Sequence, residues 1–66
     1  MCQILLVTKK KLSAKERRLQ MIQIRQQNGF AHPVFHFASE DDKNHQKTIT
    51  RFEKDHPKGI VMYPKD

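Results

Sequence analysis

The segment Cys2-Gln3-Ile4-Leu5-Leu6-Val7-Thr8 contains four consecutive apolar residues with no polar alternation. Successive side chains of a strand point to opposite sides, so a strand with one wet face alternates. A continuous run predicts a strand covered on both faces, hence a central strand flanked by helices. Ile60-Val61-Met62-Tyr63, stopped by Pro64, repeats the pattern near the other end. Between them, Pro33-Val34-Phe35-His36-Phe37 alternates and starts on proline, which suits an edge strand. Phe35 and Phe37 share one of its faces, Val34 and His36 the other.

Two helical segments separate these strands. Ser13-Ala14-Lys15-Glu16 has the S-x-x-E form of a capping box, in which Ser13 accepts from the Glu16 amide. This helix is expected from about Ala14 to Asn28, with Gly29 as its left-handed C-terminal residue. Glu16, Gln20, Gln23 and Gln27 form its polar face. Leu19 and Ile22 form one apolar patch, and Met21 and Ile24 lie about 100° further round. The second helix is read from Ser39, a capping serine followed by Glu40, Asp41 and Asp42 in a positively polarised first turn. It should end near Asp55, because Pro57 disfavours helix at His56.

The element order is therefore β-α-β-α-β in one small α/β domain covering residues 1–66. Two right-handed crossovers give a three-stranded parallel sheet. With the most apolar strand central, the strand order is 2-1-3 and one helix lies on each face. The competing order 1-2-3 puts both helices on one face and leaves an apolar sheet surface open. The expected arrangement is similar in architecture to a reduced flavodoxin-like unit, a likeness that carries no function.

At 66 residues and 36% hydrophobic content, the core is near the lower limit for unassisted stability. A second copy or another partner would relieve this, so a homodimer is an expected state. Cys2 is the single cysteine, which rules out an internal disulfide and fits a reducing, cytoplasmic setting. The apolar runs are too short to span a bilayer, and no membrane association is expected. A strand so close to Met1 reads as the start of a complete small open reading frame.

The net charge of +6, with a sequence pI near 9.8, favours nucleic acid or acidic protein surfaces as partners. Lys43, Lys47, Arg51 and Lys54 are spaced four, four and three apart, which on a helix confines them to an arc of about 80°. His45, Ile49, Phe52 and His56 fall on the opposite side. This pattern predicts a helix with a thin apolar seam toward the core and a basic stripe toward something else. A second basic set, Lys9, Lys10, Lys11, Ser13 and Lys65, is expected beyond the strand ends as an anion site beside a helix N-terminus. In the 2-1-3 order the ligand crevice should lie between the ends of strands one and three, with Thr8 and Tyr63 nearby. A partner interface is expected at Met21 and Ile24, rimmed by Arg17 and Arg25.

The sequence shows no catalytic constellation and no glycine-rich phosphate loop. Cys2 opens a buried strand, where an apolar setting keeps a thiol inert. His32 and His36 would stand about 13 Å apart on an extended segment, too far to share one zinc. No enzyme activity, metal or cofactor is expected. The reading is a small basic module that holds nucleic acid mainly through phosphate contacts, without base readout. The alternative is a small regulatory protein of bacterial or phage type, an inhibitor or adaptor, that docks on an acidic protein surface.

Overall fold

The computed structural model describes residues 2–64. Its elements are β1 (Cys2–Thr8), α1 (Ala14–Asn28), β2 (Pro33–Ser39), α2 (His45–Asp55) and β3 (Ile60–Met62). The strands form one sheet in the order β2-β1-β3, with both pairings parallel. The order read from the apolar pattern is the observed one. β2 runs alongside all of β1, from Cys2 opposite Pro33 to Thr8 opposite Ser39, whereas β3 is paired only with Ile4 to Leu6.

β1 carries the core. Ile4, Leu5 and Leu6 have no exposed surface at all. Ile4 and Leu6 pack with Ile24 of α1, joined by Phe30, Phe35, Phe37 and Met62. Leu5 and Val7 pack with Ile49 and Phe52 of α2, joined by Ala38 and Val61. Alternate residues of a strand point to opposite faces, so these two clusters lie on opposite sides of the sheet. That is why the run shows no alternation: neither side is wet.

α1 begins and ends where its capping residues stand. Ser13 Oγ accepts from the Glu16 amide at 3.3 Å, and Gly29 is left-handed at φ 65°, its N–H bonded to the Arg25 carbonyl. At the turn into β3, an added Cβ on Gly59 would lie 2.6 Å from Cζ of the buried Phe52 ring.

The second helix starts later than expected. Ser39 ends β2, residues 40–44 form a turn, and α2 begins at His45 behind an Asn44 cap that makes no side-chain bond. The physical reason is tertiary. The Glu40 amide continues the sheet ladder to the Thr8 carbonyl at 2.7 Å, which holds the backbone extended. Asp41 accepts from the Lys11 amide and the Ser39 hydroxyl, and Asp42 Oδ1 accepts from the Asn44 amide. The serine and acids thus shape a turn instead of a first helical turn. β3 is also shorter than expected; Tyr63 lies beyond it, 64% exposed.

Candidate functional site

Ile49 and Phe52 fix the rotation of α2 by turning one side of it into the core. Lys47, Arg51 and Lys54 are exposed on the other side, within an arc of about 60° at 100° per residue. Lys43 does not belong to this helical stripe. It is exposed in the turn before α2, because that turn replaces the expected first helical turn.

The turn lies at the end of the sheet where β1 also leaves. Thr8 is opposite Ser39 in the register, and the Lys11–Asp41 bond ties the two outgoing segments together. Lys9, Lys10 and Lys11 are exposed there, as is Lys43. The same end holds the first turn of α2 with Lys47. The fold therefore gathers the loop lysines and the start of the helical stripe at one end of the sheet. Glu40, Asp41 and Asp42 stand in the same turn. The Asp41 carboxyl is held below its usual range, first by the Ser39 hydroxyl and then by the Lys11 amide. Ser13 serves as the α1 cap, and Lys65 lies outside the described residues.

A cleft of about 390 Å³ opens between the ends of β1 and β2. The expected crevice between strands one and three is not where this concavity lies. Thr8 and Lys11 line it together with Arg17, Phe37, His45 and Thr48. The Arg17 guanidinium sits 5.3 Å from the Phe37 ring centroid, a cation–π contact. Its Nε is buried without a hydrogen-bond partner. His45 Nδ1 lies 2.9 Å from the Asp42 carbonyl oxygen, so that nitrogen carries the proton in this contact. Arg17 and Ile24 are seven residues apart and share the sheet-facing side of α1. That spacing is the signal that could have placed Arg17 inward.

The expected partner face of α1 is corrected in the same way. Ile24 is only 8% exposed and belongs to the core, Met21 is half-buried, and Arg17 stacks on Phe37. Arg25 remains exposed. The apolar residues that α1 shows to solvent are Leu19 and Ile22, 51% and 45% exposed. They lie almost opposite Ile24, with Lys15 and Arg18 among the exposed residues beside them.

The apolar seam expected through Phe52 and His56 of α2 gains a residue that helix spacing alone does not show, His36 of β2. The rings of His36 and His56 pack on Phe52, with centroids 5.4 and 5.2 Å away, and lie 5.6 Å from each other. His36 Nε2 is 2.7 Å from Gln3 Oε1. The histidines thus close the edge of the Phe52 cluster. Cys2 is half-buried against the Ile4 and Leu6 side. Among the described residues no group of three or more His, Cys, Asp or Glu side chains is placed to hold a metal, and no helix is long and apolar enough to cross a membrane. Comparison with protein-family models, curated proteins and solved structures finds no match to this chain.

Proposed function

We propose that this chain is a small basic module that binds nucleic acid through phosphate contacts and carries out no chemistry of its own. The observation that supports this reading is the division of α2. Ile49 and Phe52 are held in the core, which leaves Lys47, Arg51 and Lys54 exposed on a helix whose rotation is fixed. Cations at this spacing meet successive phosphates without reading bases. Phe52 is buried and Phe30, Phe35 and Phe37 pack partly buried against the core, which favours phosphate contacts over base stacking.

The test is the salt dependence of binding to a labelled duplex, followed by fluorescence polarisation. Three phosphate contacts give a slope of about −2.7 in log affinity against log salt, roughly a 40-fold loss between 50 and 200 mM. Absence of binding at low salt, or affinity insensitive to salt, contradicts the proposal.

A second reading rests on a separate observation. Leu19 and Ile22 are exposed on α1 beside Lys15 and Arg18, an apolar patch with a basic rim. Such a patch suits an acidic protein surface. Recovery of a stoichiometric protein complex after nuclease treatment, lost in a Leu19→Glu variant, distinguishes it from the first.

A further inference from the structure

β2 is an open sheet edge of seven residues, whereas the opposite edge, β3, has three. One hydrogen bond fixes which backbone groups of β2 face outward. The Glu40 N–H donates to the Thr8 carbonyl at 2.7 Å, so Glu40 faces β1. In a parallel strand, the N–H and C=O of one residue point to the same side, and the side alternates along the chain. Val34, His36 and Ala38 therefore face β1, while Pro33, Phe35, Phe37 and Ser39 face away. The open edge offers the N–H groups of Phe35, Phe37 and Ser39 and the carbonyls of Pro33, Phe35 and Phe37. The Ser39 carbonyl already accepts from the Asp42 N–H at 3.1 Å, and Pro33 has no N–H to give.

This edge is complementary to itself. Laid antiparallel about a two-fold axis at His36, Phe35 exchanges both of its bonds with Phe37 of the second copy, and Phe37 with Phe35. The Ser39 N–H meets the Pro33 carbonyl at each end. The one missing donor, Pro33, falls opposite the one acceptor already in use, Ser39. A two-residue slip loses this match. In one direction Pro33 faces the Phe37 carbonyl; in the other the Phe35 amide faces the occupied Ser39 carbonyl.

Charge points to the same occupant. A chain of net charge +6 repels its own copy, yet no residue between Arg25 and Glu40 carries a formal charge. Edge strands that stay unpaired are commonly blunted by lysine, a bulge or an internal proline. β2 has its only proline at the first position and keeps an unbroken register with β1. We propose that the chain forms a two-fold homodimer through β2, with a continuous sheet in the order β3-β1-β2-β2-β1-β3.

Light scattering over a concentration series, combined with amide exchange read by NMR, tests this. The expected mass is twice the 7.9 kDa of one chain, with Phe35, Phe37 and Ser39 amides becoming protected as the dimer fills. A single-chain mass with those three amides exchanging fast, while His36 and Ala38 stay protected, overturns the proposal. So does a dimer in which the three remain unprotected. Position 36 faces its own copy across the axis, where like charges destabilise pairing and opposite charges support it. His36→Lys and His36→Asp should each be monomeric, and their mixture should restore the doubled mass. Two folded variants that fail to pair on mixing overturn the register; if either fails to fold, exchange on the wild-type chain decides alone.

Discussion

α1 and α2 lie against the same sheet but are held there by different means. α1 carries its instructions locally. Ser13 caps one end, Gly29 closes the other, and the helix is rich in Ala, Lys, Glu, Arg, Leu, Met and Gln, all good helix formers. It buries one residue, Ile24. α2 has no side-chain cap, and Thr48, Ile49 and Thr50 place three β-branched residues in a row. The two threonine hydroxyls bond back to the Asn44 and Gln46 carbonyls, which weakens a helix slightly. Its helical state depends on Ile49 and Phe52 reaching the sheet. A helix specified by packing has a fixed rotation, and that rotation leaves a defined outer face for Lys47, Arg51 and Lys54.

The sharpest way to break this contrast is to remove the contact on which α2 depends. Phe52→Ala should cost about 3–5 kcal/mol in chemical denaturation, a large share of the stability of so small a domain. A cost near that of a surface substitution would mean α2 stands without the sheet. Gly59→Ala probes the same contact from the other side. Its Cβ would press into the Phe52 ring, which is 6% exposed and has little room to move. Overpacking of this kind costs roughly 1–3 kcal/mol.

Caps give a smaller and more selective effect. Ser13→Ala should lower stability by about 1 kcal/mol. Asn44→Ala should stay within about 0.5 kcal/mol, because Asn44 makes no capping bond to lose. Equal losses at the two positions would erase the distinction between the helices.

The turn that precedes α2 adds a pH dependence. Asp41 binds its proton less readily in the folded chain than its ordinary value of 3.8 implies, because the Ser39 hydroxyl and the Lys11 amide favour the carboxylate. Its contribution is therefore present above about pH 4 and lost as the pH falls through the lowered value. Asp41→Asn should flatten the acid limb of the melting-temperature profile below pH 4 and leave the neutral slope unchanged.

These contrasts also explain what could be read from the chain alone. The uninterrupted Ile4–Val7 run was enough to place β1 in the middle of a parallel sheet, since burial on both faces leaves a local signature. Ser13 and Gly29 marked both ends of α1 because capping is a local interaction. Ser39-Glu40-Asp41-Asp42 misled for the opposite reason. The same residues can open a helix or close a turn, and the choice rests on bonds to a distant segment, from the Glu40 amide to the Thr8 carbonyl and from the Lys11 amide to Asp41. The outward face of Lys47, Arg51 and Lys54 followed from their spacing against Ile49 and Phe52. The outward face of α1 did not, because apolar residues occur on two sides of it and only packing selects Ile24 for the core.

α2 is divided into a packed face, Ile49 and Phe52, and an exposed cationic face, Lys47, Arg51 and Lys54. The most direct measurement takes melting temperature and duplex affinity on one preparation of a Lys47→Glu, Arg51→Glu variant. Stability should stay within about 0.5 kcal/mol of wild type, since both side chains are exposed. Affinity at low salt should collapse, and the magnitude of the salt slope should fall by about 1.8 as two phosphate contacts are lost. Unchanged affinity, or a loss of affinity that only follows a loss of melting temperature, would contradict the account.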